Sequence, residues 1–139
     1  MKNILIPTDF TPQSMTMLEN YLETVGTKNI NLVFFTAFTL PDSEQDIVGS
    51  DAKPHLQVLN EPFRKACRKL KSRFEGTIAT IQYKYLYGNS RKVFAVFLQH
   101  NKIDLIFCPQ QYFEFPNKKC INPLPLVKTA KVPVIYELY

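Results

Sequence analysis

Asn3-Ile4-Leu5-Ile6-Pro7 (NILIP) decides how the rest of the chain is read. It is a short unbroken apolar run that stops at Pro7 and Asp9. A strand with one wet face alternates apolar and polar residues, whereas a strand buried on both faces in a parallel sheet reads as a continuous run. Ile103–Cys108 (IDLIFC) has the same form. Parallel neighbours need crossover connections, and those crossovers are right-handed helices that cover the two faces of the sheet. The sequence around each run should therefore alternate between strand and helix.

It does so along its whole length. Thr11 offers a hydroxyl cap and Pro12 a first helical position, and Met15, Leu18, Leu22 and Val25 recur at helical spacing up to Gly26. Ile30–Phe38 (INLVFFTAF) is rich in β-branched and aromatic residues and predicts the second strand. From Pro41 to Asn60 the chain is polar and punctuated by Pro, Gly, Ser and Asp, a long excursion. A second helix then starts near Pro62. Its Phe63, Ala66, Cys67, Leu70 and Phe74 share one side, and its basic residues take the other.

Thr77–Tyr87 alternates loosely and ends at Gly88, the pattern of a strand nearer an edge. Asn89 or Ser90 caps a third helix striped with Val93, Phe94, Phe97 and Leu98. After Ile103–Cys108 and the aromatic segment Gln110–Cys120, Asn122 caps a short last helix holding Leu124, Val127 and Ala130. Val132–Tyr139 (VPVIYELY) closes the chain as the fifth strand. The expected fold is one α/β domain over residues 1–139, a doubly wound five-stranded parallel sheet with helices on both faces. Ligands of such sheets bind at the carboxyl ends of the strands, at the topological switch point.

Composition narrows the function. The chain has 139 residues, 45% of them hydrophobic, enough for a core without disulfides or metals. Met1–Pro7 is too brief for a signal peptide or a bilayer span, so a cytoplasmic location with no membrane partner is expected. Cys67, Cys108 and Cys120 are odd in number and widely spaced, which predicts reduced thiols rather than disulfides or a zinc site. His55 falls in a loop and His100 near a helix end, where a cation suits the helix dipole. The net charge of +5 is local: Arg64, Lys65, Arg68, Lys69, Lys71 and Arg73 sit together, and the remaining 11 basic residues balance 12 acidic ones. Such a face is ordinarily solvated, and no aromatic platform is interleaved with it in sequence, so no nucleic-acid partner is expected.

Pro7-Thr8-Asp9-Phe10, Gly88-Asn89, Ile103-Asp104-Leu105-Ile106 and Val132-Pro133-Val134-Ile135, in that order and spacing, resemble the framework of the universal stress protein family. The resemblance covers nearly the whole chain. It implies a vestigial nucleotide cleft formed by Thr8, Asp9, Ala37 and Gly88, and a homodimer paired through the last strand. The family's ATP-binding members carry a Gly-x2-Gly-x9-Gly-(Ser/Thr) loop after the fourth strand. Counted back from Val132-Pro133, those glycines fall on Phe107, Gln110 and Cys120, and no glycine follows Gly88. Bulky side chains obstruct the close backbone approach that phosphate needs, Pro123 and Pro125 carry no N–H, and Glu114 adds a repelling carboxylate that Lys118 and Lys119 offset in part.

With no nucleophile elbow, metal cluster or Walker loop, no enzyme and no cofactor are expected. Tyr112, Phe113 and Phe115 are expected to fill the vacated cleft. The expected function is a non-catalytic regulatory or interaction module that does not bind ATP in the family's usual way. The alternatives are a small-molecule or adenine-nucleotide sensor at the strand ends and a nucleic-acid-associated protein acting through the basic helix.

Overall fold

The computed structural model describes residues 2–8, 15–25, 28–38, 61–88, 90–110 and 120–138. Its elements in chain order are β1 (Lys2–Pro7), α1 (Met15–Val25), β2 (Ile30–Phe38), α2 (Glu61–Arg73), β3 (Ile78–Tyr87), α3 (Arg91–His100), β4 (Leu105–Gln110), β5 (Cys120–Ile121), α4 (Leu124–Val127) and β6 (Val134–Leu138). Five strands run parallel in the order β3-β2-β1-β4-β6. The chain winds outward from β1 to β3, then returns to β4 and β6, so the winding reverses between β1 and β4. This is the expected doubly wound α/β sheet.

Alternation along the strands divides the core in two. Ile4 and Ile6 of β1, Leu32, Phe34 and Phe38 of β2 and Phe107 of β4 pack with Met15, Leu18 and Leu22 of α1 and with Phe63, Cys67 and Leu70 of α2. On the other face Leu5, Val33, Phe35, Ile106 and Cys108 pack with Phe94 and Leu98 of α3 and with Leu126 and Val127 of α4. Because the inner strands are apolar on both sides, each needs both helical layers, which is why their sequences show no alternation. In α2 the apolar residues face inward as expected, and all six basic residues are exposed. Arg73 pairs with Glu19 and Glu23 of α1, and Arg68 with Glu61.

A polar network pins the register at the amino edge. The Asn3 N–H donates to Asp104 Oδ2 (2.9 Å), Asn3 Nδ2 to the Lys102 carbonyl (3.0 Å), Asn31 Nδ2 to Asn3 Oδ1 (2.8 Å) and Thr80 Oγ1 to Asn31 Oδ1 (2.6 Å). Three strands and the turn that leads into β4 are thereby tied at one level. A one-residue slip would turn every apolar side chain to the wrong layer, so this edge helps to fix which face is which.

Several local expectations shift. The fourth strand begins at Leu105 rather than Ile103, because Asp104 turns its carboxylate to β1. The last strand begins at Val134, past Pro133. A sixth strand, β5, emerges from the segment read as loop and pairs antiparallel with the end of β2. Ser90 rather than Asn89 caps α3, its Oγ accepting from the Val93 N–H at 3.4 Å. Val93, expected in the apolar stripe, is 46% exposed, since the stripe facing the sheet is Phe94 and Leu98. Asn122 does act at the start of α4, Oδ1 accepting from the Leu124 N–H, but the helix is a single turn and Ala130 lies beyond it. Thr11 and Pro12 lie outside the described residues.

Candidate functional site at the carboxyl edge of the sheet

Three of the four residues expected to form a cleft lie at the carboxyl ends of adjacent strands. Thr8 follows β1 and is fully buried, and its N–H donates to the Phe35 carbonyl (3.0 Å), which continues the β1–β2 ladder by one step. Ala37, also fully buried, is in the last turn of pleat of β2. Gly88 follows β3, is buried, and donates its N–H to the Phe38 carbonyl (2.6 Å). Its φ of 92° is in the left-handed region, which accounts for glycine at this strand exit. Asp9, Tyr112, Phe113 and Phe115 lie outside the described residues.

Thr36 was not singled out in the sequence. Its hydroxyl is buried, 1% exposed, and has no hydrogen-bond partner. An unmade hydrogen bond on a buried hydroxyl costs about 1 to 3 kcal/mol, so such groups usually mark a water or ligand position. The Thr8 N–H to Phe35 carbonyl bond puts Thr8 opposite Thr36. Thr36 shares the face of β2 that carries Phe34 and Phe38, so the two threonines sit side by side on the α1–α2 face of the sheet. The available signal was a single polar residue inside the apolar run INLVFFTAF.

Past the end of β1, the same edge of β2 is already covered, while β3 occupies the other edge as far as Phe38. Ala37 and Phe38 pair with Ile121 and Cys120 of β5 beyond the point where β1 ends. The backbone that follows offers few donors. Pro123 and Pro125 have no N–H, that of Leu124 goes to Asn122 Oδ1, that of Val127 to the Pro123 carbonyl (3.0 Å) and that of Lys128 to the Leu124 carbonyl (3.1 Å). Of the six residues from Pro123 to Lys128, two thus lack an N–H and three have donated theirs.

The two described thiols are sheltered. Cys67 and Cys108 are free and buried, and burial pushes both up to about 11. The Tyr83 phenol is also raised, first by burial and then by its hydrogen bond with Cys67, although its ring is 36% exposed. Among the described residues no three His, Cys, Asp or Glu side chains gather as metal ligands, and no helix is long and apolar enough to cross a membrane. His100 is the exposed last residue of α3.

No protein-family model matches the chain, and no curated protein matches it by sequence. Solved structures match it in fold. A universal stress protein in complex with cAMP is 13% identical, with a TM-score of 0.60 over 98% of this chain and 96% of that one. The hypothetical protein MJ0577 is 16% identical, with a TM-score of 0.58 over 99% and 96%. A universal stress protein family protein from Arabidopsis thaliana with AMP bound is 13% identical, with a TM-score of 0.55 over 99% and 92%. The chain is an α/β domain wound about a β1–β4 switch point. Its fold is that of the universal stress proteins.

Proposed function

We propose that the chain is a non-catalytic, universal stress protein-like regulatory or interaction module that does not bind ATP in that family's usual way. The observation that carries this reading is the state of the backbone between Cys120 and Lys128. β5 lies along Ala37 and Phe38, two amides are missing at proline, and those of Leu124, Val127 and Lys128 are already donated. Phosphate binding at a helix start depends on several free N–H groups converging on one point. The sheltered thiols support a non-catalytic role, because the thiolate is the nucleophile and burial keeps Cys67 and Cys108 protonated. Their free state also suits a cytoplasmic location, where thiols stay reduced. β6 stands at the sheet edge, which supports pairing of two copies through it.

A sensor of adenine nucleotides is the second reading. It is favoured by the cAMP and AMP complexes among the fold neighbours and by the spare Thr36 hydroxyl. Calorimetric titration with ATP and magnesium, and separately with AMP, distinguishes the two. The module reading expects weak or no heat with either. Tight saturable ATP binding overturns it, and saturable binding of AMP alone establishes the sensor.

A further inference from the structure

We propose that a cleft on the far face of the sheet, between α3 and the turn that follows α4, is a binding site for a small organic anion. The ligand class is an apolar body bearing a phosphate, sulfonate or carboxylate group. The cleft has a volume of ≈ 520 Å³, within the roughly 300 to 1,000 Å³ typical of small-molecule sites. It belongs to the layer that carries Phe94 and Leu98, so the sheet separates it from the Thr8–Thr36 face.

Its charge is one-sided. Arg91 and Lys92 stand on one wall, in the first turn of α3, and Lys128 and Lys131 on the other. Among the described residues no carboxylate lines the cleft and none of these four cations has an ion-pair partner, the pairs there being those of Arg68 and Arg73. Four like charges facing one concavity repel one another, and low-dielectric walls focus their field into the space between them. An anion there relieves that repulsion. Between the cations the lining is mostly apolar, with Phe94, Ala95, Leu98, Ala130 and Val132 beside the polar Gln99 and Thr129, so a bare ion leaves most of the surface unused.

The chain leaves helix early: α4 ends at Val127, and Pro133, just before β6, disfavours helical conformation at Val132. From Lys128 the chain runs as hydrogen-bonded turns, with the Thr129 N–H donating to the Leu126 carbonyl (2.9 Å) and the Ala130 N–H to the Val127 carbonyl (3.1 Å). No further α-helix follows there to cover α3, and Ala95 and Gln99 are left exposed on the helix beside the gap. The basic face of α2 is the rival patch, but two of its six cations are already paired with carboxylates, and the cleft beside it includes Glu75 in its lining.

The test uses the aryl sulfonate 8-anilinonaphthalene-1-sulfonate as the probe, titrated into the full chain and followed by its fluorescence. Three proteins are compared: the native chain, the double variant Lys92→Glu/Lys131→Glu in the cleft, and Lys65→Glu/Lys69→Glu on α2, with thermal melts confirming that all are folded. The expected result is saturable binding to the native chain and the α2 variant, weakened about tenfold or more in the cleft variant. Absence of saturable binding, or equal binding by the two variants, overturns the proposal.

Discussion

Leu70→Ala and the double reversal Lys65→Glu/Lys69→Glu alter opposite sides of α2 and should have opposite consequences. Leu70 is 1% exposed and packs in the layer that holds Phe63, Cys67 and Ile78. Truncating a buried leucine loses about 0.8 kcal/mol per methylene and leaves a cavity, together about 2 to 5 kcal/mol. Here Ala66, Phe74 and Ile81 are only partly buried against the same cluster and can settle into the hole, which favours the lower half of that range. For a domain of this size the melting temperature should fall by roughly 10 °C. The two lysines are exposed, and their replacement redistributes small terms. Glutamate at 65 meets Glu61 one turn away, at a cost of about 0.2 to 0.5 kcal/mol, while glutamate at 69 gains a comparable amount from Arg73. The net change should stay within about 0.5 kcal/mol. Urea unfolding followed by circular dichroism reads both, and the midpoint should move for Leu70→Ala with little change in slope. Equal small shifts for the two variants would refute the placement of Leu70 in the core, and with it the orientation of α2.

Dimerisation through β6 is tested by light scattering at micromolar concentration, where a dimer is expected. The Ile106 N–H donates to the Pro133 carbonyl, so by the alternation of a parallel ladder the Ile135 N–H points at β4 and those of Val134 and Tyr136 point outward. Tyr136→Pro should therefore give a folded monomer, whereas Ile135→Pro should unfold the edge; an unchanged dimer in Tyr136→Pro places the interface elsewhere. Cys67 and Cys108, with folded pKa values near 11 against an ordinary value of 9.0, should resist iodoacetamide at pH 8 until the chain is unfolded in urea. Because folding raises these pKa values, their contribution to stability is intact below pH about 9 and is lost as pH climbs through about 11. Rapid labelling of both thiols in the native protein, or stability that rises across that interval, contradicts their burial.

The sequence by itself determined the order of elements, the parallel sheet and the inward face of α2. These depend on patterns within a few residues: unbroken apolar runs in NILIP and IDLIFC, and three- and four-residue steps from Phe63 to Phe74. It also placed Thr8, Ala37 and Gly88 at strand ends, because strand boundaries are written in Pro and Gly. What it did not contain was anything set by distant partners. Nothing near Asn3 announces that Asp104 will accept its N–H, nothing in Cys120-Ile121 announces a pairing with Ala37 and Phe38, and Thr36 looked like one more strand residue until burial left its hydroxyl alone. The basic cleft is the clearest case. Arg91 and Lys92 are separated in sequence from Lys128 and Lys131 by all of β4 and α4, so neither pair stood out from the background of surface cations. Hydrophobic periodicity is a local property of the chain. Convergence of charge and the partnering of polar groups exist only once strands far apart in sequence lie in one sheet.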